Sequence, residues 1–255
     1  MVLASLLLRA NQVVTISELV EWLWDDEPPS DAWESAKAYV RRLRRTLEAP
    51  ELIAALPDGF RLTVPDTAVD LLRFRRLVRE AEAVRGADQL ARLDQALALW
   101  GDKPLASLPP SMAKSRAVHA MVEEYCQAVE KRADAYLRLG RHAEVVTDLR
   151  AMTERHPDRE RVWSQLMVAL YRSGKRVEAL SAYRQVHAHL AHEFGITPGA
   201  ELESTHHGVL TDTLDHTAGA AAATATLVRL TPAQLPADIG TSSGVPVTWP
   251  RREPR

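Results

Sequence analysis

Three features of the 255-residue chain predict a mainly α protein in two unlike parts. The first 65 residues read as short helices, one longer helix with four arginines in the five positions 41 to 45, and a hairpin. Residues 66–215 read as helix throughout and carry a 34-residue repeat. From His216 the composition shifts to Ala, Thr, Pro, Gly and Ser with no sustained apolar period, which predicts a disordered tail over 216–255.

Residues 1–9 place Leu3, Leu6 and Leu7 at helical spacing and read as the last two turns of a helix. Thr15-Ile16-Ser17-Glu18 then fits a capping box, in which the Thr hydroxyl takes the amide three residues on and the Glu reaches back. A short helix follows, with Leu19, Val20, Leu23 and Trp24 on one face, Trp22 and Trp24 being read as core and lid residues. The acidic, proline-containing run 25–30 stops it. From Asp31 to Leu47 a longer helix is predicted, its docking stripe made of Ala32, Ala36, Tyr39, Val40, Leu43 and Leu47. Glu34, Lys37, Ala38, Arg41, Arg42, Arg44 and Arg45 complete the polar side. After it, Pro57-Asp58-Gly59 is turn chemistry between two short β-prone runs, hence a hairpin over 51–64. Helix, helix, long helix and hairpin are the order of a winged helix-turn-helix domain, with 31–47 as recognition helix and the hairpin as wing.

Charge alone does not make this an interface. Lys plus Arg number 32 against 34 for Asp plus Glu, and residues 1–64 carry seven basic and ten acidic side chains. Affinity for double-stranded DNA must then come from local clustering instead of a domain-wide field. The expected contacts are Arg41, Arg42 and Arg45 in the major groove, Lys37 and Arg44 at phosphates, and Arg61 on the wing.

Downstream, Gly140-Arg-His-Ala-Glu144 is matched by Gly174-Lys-Arg-Val-Glu178 at a shift of 34, with Leu149 answering Tyr183. That is the tetratricopeptide period, and Trp163, Leu166, Ala169, Tyr171, Gly174 and Ala179 stand near its consensus positions. Helices are predicted over 71–85, 89–100 and 115–139, then in pairs, forming a stack with a concave surface for a protein partner.

Several stretches together resemble the Streptomyces antibiotic regulatory proteins. These are LLLRANQVVTISELVEWLWDDEPP, YVRRLRRTL with DGFRLTV, LDQALALWGDKPL, and ALYRSGKRVEALSAYRQVHAHLAHEFGITPGAEL, in the family's order and spacing over most of residues 3–210. The resemblance implies a transcriptional activator: a winged helix-turn-helix domain over 1–65, then a tetratricopeptide-like bacterial transcriptional activation domain over 66–215. It further implies homodimers on promoter direct repeats of antibiotic biosynthesis genes, contacts with RNA polymerase or its sigma factor, and a cytoplasmic location. LTPAQLPADIG resembles the linker that leads, in larger family members, into a nucleotide-binding ATPase domain, but no G-x-x-x-x-G-K-[ST] phosphate loop follows, so no cofactor is expected.

Two departures from the family pattern bear on function. Family members carry a small antiparallel sheet ahead of the first helix, whereas this chain starts inside that helix; a misplaced start codon is the simplest reading. The apolar sides of Leu3, Leu6, Leu7 and Ile53 are then expected to be exposed. Where the family has a basic residue before the wing turn, this chain has Ala55-Leu56-Pro57-Asp58, which weakens binding and leaves Arg61 to substitute. The alternative function is a tetratricopeptide-like protein-interaction module that has lost DNA binding through N-terminal truncation.

Enzyme chemistry finds no motif here. There is no G-x-S-x-G elbow, glycine-rich dinucleotide loop or Cys-His constellation. His187, His189 and His192, with His206, His207, Glu193 and Glu203, lack zinc spacing, since His187 and His189 stand 200° apart on a helix. Cys126, the only cysteine, reads as a buried apolar residue in a reducing compartment, and no membrane span is expected.

Overall fold

The structure, a computed structural model, describes residues 1–24, 27–47, 49–101 and 110–214. The tail predicted over 216–255 lies outside the described residues.

The mainly helical prediction holds, with one small sheet added. In the first part, α1 (Val2–Leu8), α2 (Ile16–Trp24) and α3 (Ala32–Thr46) pack on one another. The capping box forms as predicted: Glu18 N–H donates to Thr15 Oγ1 at 3.2 Å, and Thr15 N–H donates to Glu18 Oε2 at 2.9 Å. The hairpin is β2 (Ile53–Leu56) and β3 (Gly59–Leu62), with Leu56 opposite Gly59 across a two-residue turn, preceded by a 3₁₀ turn at Pro50–Leu52.

A strand that the sequence pattern does not reveal, β1 (Val13–Thr15), pairs antiparallel with β3, giving the order β1-β3-β2. Three residues are too few to show a period of two, and Thr15 doubles as the cap of α2. Gly59 is dictated by this pairing: a Cβ there would lie 2.1 Å from the Val14 carbonyl oxygen. The Asp58 carbonyl accepts from Ile16 N–H, and Asn11, at φ 65°, exchanges two hydrogen bonds with the Val64 backbone, so both ends of β3 are tied to the segment before α2.

The expected exposure of Leu6 and Ile53 is corrected: they are 0 % and 1 % exposed, and Leu3 and Leu7 are half-buried. Their core includes Leu19, Val40 and Phe60 and also takes in Met112, Val118 and Met121 from far downstream. Those three sit on α6 (Pro110–Ala113) and α7 (Arg116–Arg138), and α6 packs on α2. No periodicity argument reaches across so long a separation.

The rest is a helical stack: α4 (Asp70–Glu82), α5 (Gly86–Leu97), α7, α8 (His142–Arg155), α9 (Glu160–Arg172), α10 (Arg176–Phe194) and α11 (Ala200–Thr211). The 34-residue repeat is two hairpins, α7/α8 and α9/α10. Gly140 and Gly174 both have positive φ, 73° and 77°, and the turns use the same bonds: Arg141 N–H to Tyr136 O, and Lys175 N–H to Leu170 O. Trp163, Leu166, Ala169, Tyr171 and Ala179 are all buried in the common core. Cys126 lies there too, its thiol pushed up to about 11 by burial.

Candidate nucleic-acid interface

Helix α3 has a buried back and a cationic front. Ala32, Ala36 and Val40 are buried, Leu43 and Leu47 half-buried, against α1 and α2. Tyr39, expected on that stripe, is 43 % exposed and stacks instead on Trp24, ring centroids 6.0 Å apart. It lies on the flank of the stripe, where an aromatic covers a neighbouring ring without entering the core.

Arg41, Arg42 and Arg45 are exposed, and among the described residues none of them makes an ion pair or a side-chain hydrogen bond. Lys37, by contrast, donates to Glu34 Oε1 at 2.9 Å one turn back on the same helix. That hydrogen bond, with the charge behind it, lowers the Glu34 carboxyl below its ordinary value. Arg61 is exposed in the middle of β3, opposite Val13 on one side and Ala54 on the other.

Arg44 departs from its expected outward position. Half-buried, its Nη2 donates to the Ile53 carbonyl at the start of β2, and its guanidinium lies over the Phe60 ring of β3, 5.9 Å from the centroid. The front of α3 is thus three arginines without an ion pair among the described residues, one paired lysine and one arginine turned into the wing. Trp33, not singled out by the sequence pattern, is 54 % exposed near the start of α3.

The histidines do not assemble. His206 stacks on Tyr183 at 3.5 Å, and Tyr183 donates to Glu203 at 2.6 Å. Among the described residues no group of three or more His, Cys, Asp or Glu is placed to hold a metal ion. No described helix is long and apolar enough to cross a membrane.

The bacterial transcriptional activator domain matches residues 69–210, which run from the residue before α4 almost to the end of α11. This chain belongs to that family. Among its relatives, the regulatory protein DnrI of Streptomyces peucetius is 33 % identical over 82 % of either chain. The regulatory protein AfsR of Streptomyces coelicolor is 38 % identical over 95 % of this chain, which spans 25 % of AfsR. The solved structure of EmbR from Mycobacterium tuberculosis, in complex with a low-affinity phosphopeptide, superposes with a TM-score of 0.73 at 35 % identity, over 89 % of this chain and 63 % of that one. The similarity to AfsR and EmbR extends beyond the matched domain into the winged-helix part.

The sequence pattern singled out the three unpaired arginines but missed the role of Arg44. A signal for it exists. At 100° per residue Arg44 stands about 40° round the helix from buried Val40, against about 100° for Arg41 and about 140° for Arg45.

Proposed function

We propose that this chain is a sequence-specific DNA-binding transcriptional activator. Helix α3 enters the major groove and presents Arg41, Arg42 and Arg45, while the wing lies on the adjacent backbone and offers Arg61. Lys37 is a weaker candidate, since a phosphate must compete with Glu34 for it. The observation that carries the reading is the pairing state of α3: three exposed guanidinium groups with no ion pair among the described residues, on a helix whose opposite face is anchored. In a segment of net negative charge, cations left unpaired are the groups free to release counterions from DNA.

The names of AfsR and DnrI support a regulatory role, and that of EmbR, a transcriptional regulatory protein, supports regulation of transcription. The likeness to the Streptomyces antibiotic regulatory proteins supports the finer reading: a homodimer acting in the cytoplasm on direct repeats near promoters of antibiotic biosynthesis genes. There the helical stack would recruit RNA polymerase or its sigma factor, with no catalytic step of its own. The burial of Leu6 and Ile53 supports this reading over that of a tetratricopeptide-like interaction module that has lost DNA binding.

Selection from a pool of random duplexes tests the proposal. The chain should enrich a repeated half-site over several rounds, and a variant with Arg41, Arg42 and Arg45 all changed to Ala should not. Equal enrichment by the two proteins would remove α3 as the reading element.

A further inference from the structure

We propose that Arg44 is the clamp that sets the wing against the recognition helix, a positioning residue and not a phosphate contact. The proposal rests on α3 and the hairpin being the DNA interface, but the clamp itself is a property of the free protein.

Three observations converge on it. First, β2 is an edge strand, paired with β3 alone, and the Ile53 carbonyl accepts its hydrogen bond from Arg44 Nη2. A half-buried edge carbonyl needs a partner that the sheet does not supply. Second, the same guanidinium lies over Phe60, so one side chain touches both strands of the wing, β2 by a hydrogen bond and β3 by its flat face. Third, among the described residues this is the only hydrogen bond joining α3 to the hairpin; the others on the wing lead to the segment before α2. The sheet is held to the start of α2 without Arg44; against α3 it shares an apolar core with Val40, and among the described residues Arg44 adds the only hydrogen bond that sets its angle to that helix.

That angle decides whether the wing reaches the backbone beside the groove that α3 occupies. An arginine whose task is to neutralise a phosphate works largely by charge, most of which a lysine keeps. A clamp works by a planar donor that bonds and stacks at once, which a lysine cannot reproduce. Arg44→Lys therefore separates the two roles, with Arg41→Ala as the control that removes a cation without touching the wing.

In the free protein, Arg44→Ala and Arg44→Lys should each speed amide exchange across 53–62 by about tenfold while α9 and α10 exchange as in the wild type. Arg41→Ala should leave the hairpin unchanged. Hairpin exchange within about twofold of the wild type in both Arg44 variants would overturn the clamp, whatever happens with DNA. On DNA selected by the wild type, Arg44→Lys should bind nearly as weakly as Arg44→Ala. Recovery of wild-type affinity by Arg44→Lys would place the guanidinium on a phosphate and overturn the proposal. A wild type that selects no DNA, with a hairpin that still loosens in the Arg44 variants, would sink the functional reading and leave the clamp standing.

Discussion

Two helices in this chain carry four arginines each, and folding pairs the two sets very differently. Helix α3 has Arg41, Arg42, Arg44 and Arg45; helix α4 has Arg73, Arg75, Arg76 and Arg79. On α4 every guanidinium has a carboxylate: Asp70 at 3.8 Å, Glu124 in a bidentate pair at 2.7 and 3.0 Å, Glu80 at 3.8 Å and Asp66 at 3.7 Å. On α3 one arginine is spent on the wing and the other three have no carboxylate among the described residues. Composition cannot separate the two runs. Two things separate them, position on the winged-helix part and whether folding has already supplied the counter-charge, since a paired arginine must give up its carboxylate before it can take a phosphate.

The largest test of that contrast is to delete cations from each helix. On selected DNA, Arg41→Ala and Arg45→Ala should each cost about tenfold in affinity and lower the slope of log K against log salt by about one. Arg73→Ala and Arg79→Ala should leave affinity and slope where they were. Binding titrations at four or five salt concentrations decide it, and equal slope changes for the two helices would abolish the distinction.

How much of this was legible beforehand differs between the same two regions. The back of α3 and the capping box before α2 were readable because a periodic stripe and a three-residue spacing are local patterns. The repeat was readable because its turns recur with the same backbone bonds at Gly140 and Gly174. The pairing of the arginines was legible only in part: Asp70 and Glu80 stand one turn from Arg73 and Arg76 on the same helix, a local spacing, but the partner of Arg75 does not. Glu124 lies 49 positions from Arg75, and no pattern within a helix announces a partner so distant. The same holds for Met112 and Met121, which help to fill the core around Leu6 and Ile53. Arg44 falls between, since its angle was in the sequence but its acceptor, the Ile53 carbonyl, is a product of the fold.

A smaller effect comes from making α4 resemble α3. Asp66→Asn together with Glu80→Gln removes the partners of Arg79, Arg76 and Arg92. Stability should change by no more than about 1 kcal/mol, because the pairs are partly exposed. Non-specific binding to long duplex DNA at low salt should rise by about twofold or less, the freed cations adding to the general field. A rise that matched the loss seen on deleting Arg41 would mean that pairing alone, and not position on α3, distinguishes the two helices.

The smallest expected effect concerns pH and again divides the chain in two. The winged-helix part contains no histidine, the first being His119. In the helical stack, His142 at the start of α8 is 5 % exposed and neither ring nitrogen has a hydrogen-bond partner among the described residues. Burial holds its pKa below the ordinary 6.5, and the like charge of Arg172 pushes the same way; burial also lowers His156 and His206. An unfolded chain then takes up protons at these histidines near pH 6.5, while the folded one does so only at lower pH. Stability that is present above about pH 6.5 is therefore lost as the pH falls below it. The helical stack should lose stability first on acidification, with the arginines of α3 still fully charged. His142→Leu, close in volume and unable to titrate, should reduce the drop in melting temperature between pH 7.5 and 5.5 by about 2 °C, read by circular dichroism. An unchanged drop in that variant would move the acid sensitivity to His156 or His206, both of which are less buried than His142.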